Sequence, residues 1–96
     1  MNKTVEEMFR ELGYYKKYNS DKYSIYTIYI KPIDEYIVKY IRFEINKLTK
    51  EISVKVYREI KGEYSYSPDE FSITEAKLIM KQIEELENKN EEDELS

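Results

Sequence analysis

The sequence predicts an α+β domain. It is a two-layer α-β-β-β(-β)-α arrangement, with an antiparallel sheet of three to four strands and the two terminal helices packed on one face. Three observations predict it. Apolar residues at helical spacing sit at both ends of the chain, and period-two alternation fills the middle. Only two glycines and two prolines occur in 96 residues, which leaves little room for long loops. A chain of this length holds one core, so residues 1–88 are expected as a single globular domain and 89–96 as an acidic, frayed or disordered tail.

The first element is a short helix. Thr4 and Glu7 stand in capping-box spacing, and Val5, Met8, Phe9 and Leu12 form one apolar stripe. Gly13 suits the left-handed position after the last turn. Tyr14–Lys22 reads as a polar connector with an Asn19-Ser20-Asp21 turn signal.

Tyr23–Lys31 has strand composition and is ended by Pro32. In Tyr36–Asn46, Ile37, Ile41, Phe43 and Ile45 share one parity, with Lys39 as the exception. In Glu51–Ile60, Ile52, Val54 and Val56 alternate with Ser53, Lys55, Tyr57 and Glu59. The two runs form a hairpin across Lys47–Lys50, pairing Ile45 with Ile52, Phe43 with Val54 and Ile41 with Val56. A slip of one residue would turn every apolar side chain to the wrong face. That register sets Tyr40 opposite Tyr57 and Arg42 opposite Lys55 on the second face.

Glu63–Ser67 is the optional fourth strand, carrying Tyr64 and Tyr66, and Ser67-Pro68-Asp69-Glu70 is a turn. The closing helix spans about 75–88. Either Thr74 or Ser72 serves as its cap, Ile73 is placed to staple onto Leu78, and Ala76, Ile79, Met80, Ile83 and Leu86 form the buried stripe.

Composition narrows function. There are eleven tyrosines, no histidine and no cysteine. That removes Ser-His and Cys-His nucleophile pairs and thiolate metal sites, and no glycine-rich phosphate loop or EF-hand spacing is present. Asp34-Glu35 and Asp69-Glu70 read as solvated turn residues rather than a catalytic pair. The expectation is a non-enzymatic protein without cofactor or metal. No apolar run approaches the ~18 residues of a membrane span, and no secretory signal follows Met1-Asn2-Lys3, so the cytoplasm is expected.

Charge is uneven. From Glu84 onward there are seven acids (Glu84, Glu85, Glu87, Glu91, Glu92, Asp93, Glu94) and one base, a net of −6; the 13 acids and 15 bases of residues 1–83 sum to +2. The acidic end reads either as a solubilising tail or as a mimic of nucleic-acid phosphates that occupies a basic groove.

The candidate contact residues are Tyr36, Tyr40, Arg42, Lys55 and Tyr57, all placed on the open sheet face. Tyrosine gives large contact area at low rotamer cost. Strand preference alone also enriches tyrosine, and the connector or a second copy of the chain could cover this face. Aromatics beside cations suit single-stranded nucleic acid as well, but the body carries only +2, and Glu44 and Glu59 share the face. A protein partner is therefore favoured over nucleic acid, with a homodimer as a compatible alternative.

Thr4–Tyr14 (TVEEMFRELGY), and Ile73-Thr74-Glu75 with Lys81–Leu86 (KQIEEL), resemble the opening and closing helices of short phage and mobile-element proteins of low-GC Gram-positive bacteria. Ala76-Lys77-Leu78 stands where that closing helix has Glu-Glu-Leu. The resemblance covers the terminal helices only. It implies a setting in which small acidic proteins block host defence nucleoproteins by direct contact, as anti-CRISPR proteins block CRISPR effectors.

Overall fold

The computed structural model describes residues 3–63 and 65–95, with backbone alone for 65 and 90–95. Helix α1 (Val5–Glu11) leads into strands β1 (Tyr15–Ser20), β2 (Ser24–Pro32), β3 (Ile37–Asn46), β4 (Ile52–Ile60) and β5 (Ser65–Pro68), and helix α2 (Ile73–Leu95) closes the chain. The strands form one antiparallel meander in the order β1-β2-β3-β4-β5. Both helices lie on one face of it, so the α+β expectation holds, with one strand more than three to four.

The extra strand corrects the polar connector. Residues Tyr15–Ser20 pair with Ile25–Ile30 of β2, and all six are exposed. An edge strand with little covering it needs no apolar alternation, so nothing in its composition announced it. It extends the sheet rather than covering the open face.

Each of the first three hairpins is closed by an Asp or Asn side chain that satisfies two backbone donors. Asp21 Oδ1 accepts from the N–H of Tyr23 and of Ser24, both at 2.8 Å. Asp34 Oδ1 accepts from Tyr36 at 2.7 Å and Ile37 at 2.9 Å. Asn46 Oδ1 accepts from Leu48 at 2.9 Å and Thr49 at 3.0 Å, and Lys50 completes that turn with φ of 64°. The resulting β3–β4 register is the expected one throughout: Ile45 with Ile52, Phe43 with Val54, Ile41 with Val56, Tyr40 with Tyr57 and Arg42 with Lys55.

Thr4 caps α1 by accepting the Glu7 N–H at 3.1 Å, and Gly13 leaves the helix with φ of 96°. Val5 and Phe9 of its stripe are buried, and Met8 and Leu12 are partly so. Phe9 stacks on Tyr29 at 4.1 Å and meets the edge of Tyr14 at 5.6 Å, while Tyr29 meets Phe43 at 6.0 Å. Four of the five largest fully buried side chains are therefore aromatic, Ile41 being the fifth. Burial of Phe43 alone contributes about 2–3 kcal/mol.

Helix α2 takes one of its two expected caps and departs from expectation in its staple, its buried stripe and its end. Its cap is Ser72, whose Oγ accepts the Glu75 N–H at 3.1 Å while Glu75 Oε1 accepts the Ser72 N–H at 2.8 Å. Ile73 is 78% exposed and makes no staple. The buried stripe is Glu75, Leu78, Ile79, Gln82 and Leu86, with Ala76 and Ile83 half-buried and Met80 59% exposed.

The stripe is rotated because two of its polar members serve buried tyrosines. Tyr14 donates to Glu75 Oε2, and Tyr29 donates to Gln82 Oε1. Lys39 explains its exceptional parity in the same way. It points to the helix side and reaches Glu75 Oε1 at 3.3 Å.

The helix backbone continues to Leu95, past the expected end near Asn88. Glu84, Glu85 and Glu87 are exposed on it. The side chains of Glu91, Glu92, Asp93 and Glu94 lie outside the described residues, as does Tyr64. Among the described residues no helix is long and apolar enough to cross a membrane.

Candidate functional site

The open face is built by strand alternation. Residues of β3 whose neighbours pack under the helices turn the other way, and the register carries that choice across the sheet. Tyr15 and Lys17 of β1 thus share a face with Tyr26, Ile28 and Ile30 of β2. The same face holds Val38, Tyr40, Arg42 and Glu44 of β3, Ser53, Lys55, Tyr57 and Glu59 of β4, and Tyr66 and Pro68 of β5.

Three of these tyrosines form a ladder across β3, β4 and β5. Tyr40 stacks on Tyr57 with centroids 5.0 Å apart and planes 14° apart, and Tyr57 meets Tyr66 edge-on at 5.7 Å and 71°. Pairs in these geometries add about 0.5–1.5 kcal/mol beyond their buried area. Glu59 sits between the outer rings. It accepts from the Tyr40 hydroxyl at 3.4 Å, and the same carboxylate holds the Tyr66 hydroxyl's pKa above its ordinary value. Burial, reinforced by the Glu59 charge, pushes the Tyr40 hydroxyl up to about 12.

Arg42 anchors the neighbouring row. Its guanidinium lies 4.6 Å over the ring of Tyr26, and its Nη2 is 3.4 Å from Glu44 Oε1. Its Nε is buried without a hydrogen-bond partner among the described residues, so stacking on the ring offsets a real desolvation cost. Glu44 is held in turn by the Ser24 hydroxyl at 2.9 Å.

Lys55 and Lys17 have no hydrogen-bond or ion-pair partner among the described residues, so they are the available cations of the face. Ile30 and Val38 are buried on this side, outside the cluster beneath the helices. Beside the ladder lies a shallow depression of about 590 Å³, lined by Arg42, Lys55, Val56, Tyr57, Tyr66, Ser67 and Pro68.

Of the five residues singled out from the sequence, the structure brings four together. Tyr40 and Tyr57 stack, and Arg42 and Lys55 are cross-strand partners beside them. Tyr36 stands apart. It is 64% exposed in the β2–β3 turn and makes none of these ring contacts. Two contributors were missed. Tyr66 lay in a strand expected only as optional, and Tyr26 was one tyrosine among several in a strand whose register nothing local fixes.

Among the described residues no group of three or more Asp or Glu is placed to hold a metal ion. What the face offers is aromatic area with a few fixed charges, which is contact chemistry. No family model, curated protein or solved structure matches the chain.

Proposed function

We propose that this chain is a small non-enzymatic binding protein whose open sheet face docks on another protein. More narrowly, we propose a phage-type inhibitor that blocks a host defence nucleoprotein, such as a CRISPR effector, by steric contact in the bacterial cytoplasm. The observation that carries the docking role is the Tyr40–Tyr57–Tyr66 ladder, left uncovered beside Arg42 and Lys55. Aromatic rings with an arginine at the centre of a patch are the usual anchors of protein interfaces. The narrower role is supported by the resemblance of the terminal helices.

Protein is favoured over nucleic acid because the cations are diluted. Arg42 is engaged by Glu44, and Glu59 lies in the ladder itself. A phosphate chain needs a denser basic stripe.

Pull-down with the tagged chain from host lysate, followed by titration of the captured protein, tests both parts. Tyr57→Ala is expected to weaken the captured complex by about 1–3 kcal/mol, a loss typical of an aromatic anchor, with the fold intact. Capture of no nuclease or nucleic-acid-binding protein would sink the inhibitor role. Unchanged affinity in Tyr57→Ala would sink the face as the contact. Binding of a single-stranded oligonucleotide at low salt, lost in Tyr57→Ala, would replace protein with nucleic acid as the ligand.

A further inference from the structure

The two edges of the sheet are unlike. The β4 edge is covered only in part, because β5 pairs with Tyr57–Ile60 and stops at Pro68. Beyond it, the Asp69 N–H takes the Val56 carbonyl at 3.1 Å. At the other end the β3–β4 turn closes with the Asn46 N–H on the Glu51 carbonyl at 2.9 Å. Between these limits no strand among the described residues lies on the outer side of the segment Glu51–Lys55.

Its backbone direction follows from the ladder. Asn46 bonds Glu51, and the Lys61 N–H bonds the Tyr36 carbonyl at 2.7 Å, so odd-numbered residues of β4 turn their amides toward β3. The N–H and C=O groups of Ile52 and Val54 therefore point outward, unpaired by any strand. Their side chains lie half-buried on the helix side, while Glu51, Ser53 and Lys55 are exposed.

This short edge is self-complementary. In an antiparallel pairing about a two-fold axis at Ser53, Ile52 faces Val54 of the second copy and exchanges both backbone bonds with it, twice over by symmetry. Glu51 then faces Lys55 of the second copy, also twice. Neither side chain has a partner within the chain among the described residues, and opposite charges directly across strands are favourable.

The β1 edge offers the reverse. The Asp21 N–H on the Ser24 carbonyl at 2.9 Å sets its alternation, which leaves Lys16 and Tyr18 outward. The same two-fold operation there would set Lys17 against Lys17. Lysine on an edge strand is a common guard against such pairing.

We propose that the chain forms a two-fold homodimer through the Glu51–Lys55 edge, joining two five-stranded sheets into one of ten strands. The occupant of the free β4 edge is a second copy of this chain. The pairing closes on itself, because each copy uses its one complementary edge. Both tyrosine ladders stay uncovered, and Lys55 is the one of the five candidate contact residues that the dimer also engages.

Sedimentation equilibrium over a concentration series tests it. The wild type is expected to approach the mass of two chains as concentration rises. Lys55→Glu and Glu51→Lys are each expected to weaken association about tenfold or more, because each sets like charges across both symmetry-related contacts. The double variant Glu51→Lys/Lys55→Glu is expected to restore it. Circular dichroism of these exposed-site variants checks that each is folded. Hydrogen exchange gives a second readout: the Ile52 and Val54 amides should gain protection with concentration, and those of Lys16 and Tyr18 should not.

A wild type that stays one chain at every concentration would overturn the dimer. So would dimerisation indifferent to both single reversals, or failure of the double variant to recover. Dissociation by Tyr57→Ala with the charge variants unaffected would move the contact to the sheet face.

Discussion

Tyrosines serve both faces of the sheet under different rules. Tyr14 and Tyr29, beneath the helices, are at most 2% exposed, and each hydroxyl has one buried acceptor, Glu75 and Gln82 respectively. Tyr40, Tyr57 and Tyr66, on the open side, pack ring against ring, with the Tyr40 hydroxyl on Glu59 and Tyr66 exposed to solvent. Losing a partner beneath the helices leaves a buried polar group that nothing replaces. Losing one on the open face lets water in. The same side chain is thus a structural fastener on one face and adaptable surface on the other.

The largest expected contrast is in ring removal. Phe43→Ala empties a site that is wholly buried and should cost about 3–5 kcal/mol in urea unfolding. Tyr57→Ala, half-buried in the ladder, should cost only about 1–2 kcal/mol. Equal losses would mean that the open face is a second core.

The Glu75 carboxylate tests the buried side by charge. Burial pushes its pKa up, but hydrogen bonds from the Tyr14 hydroxyl, the Ser72 N–H and the Lys39 ammonium outweigh that and hold it below the ordinary value. A depressed carboxylate contributes stability above its unfolded pKa of about 4.3 and loses it as pH falls through the folded value. Glu75→Gln should therefore cost about 2–3 kcal/mol at neutral pH by leaving Lys39 unpaired. It should also flatten the acid limb of the stability curve below about pH 4.3. An acid limb unchanged in Glu75→Gln would reassign it to other carboxylates, with Asp69 first. Its pKa is also lowered: burial raises it, but Arg58 at 2.9 Å and the Glu70 N–H prevail.

The smallest contrast removes one oxygen at a time. Tyr14→Phe deprives Glu75 of a buried donor and should cost about 1–2 kcal/mol, whereas Tyr40→Phe should stay within about 0.5 kcal/mol because Glu59 keeps access to water. At the alkaline end the sign reverses. A phenol whose pKa is raised on folding contributes in full below about pH 10 and loses that contribution as pH climbs. Phenolate absorbance should show Tyr40 ionising near about 12, a step absent from Tyr40→Phe.

What the sequence revealed tracks how local the information was. The β3–β4 hairpin was legible to the residue, because alternation and a four-residue turn fix each other. Strand β1 was not, since an edge strand exposed along its length carries no period. The face of α2 was misjudged at Met80 because its buried positions Glu75 and Gln82 are polar. Their reason for burial, Tyr14 and Tyr29, lies 61 and 53 residues away. The open-face cluster was half legible. Tyr40, Arg42, Lys55 and Tyr57 follow from one hairpin, while Tyr26 and Tyr66 need the strands on either side of it.

The meander order has a consequence for synthesis. Every strand meets its neighbour in sequence, so the sheet can zip up as soon as each hairpin leaves the ribosome. Helix α2, the larger part of the lid over its greasy side, is translated after all five strands. Until α2 emerges, the Tyr29 hydroxyl lacks its Gln82 acceptor and the core lacks Leu78, Ile79 and Leu86, so nascent chains released early should be the ones that chaperones capture and proteases clear.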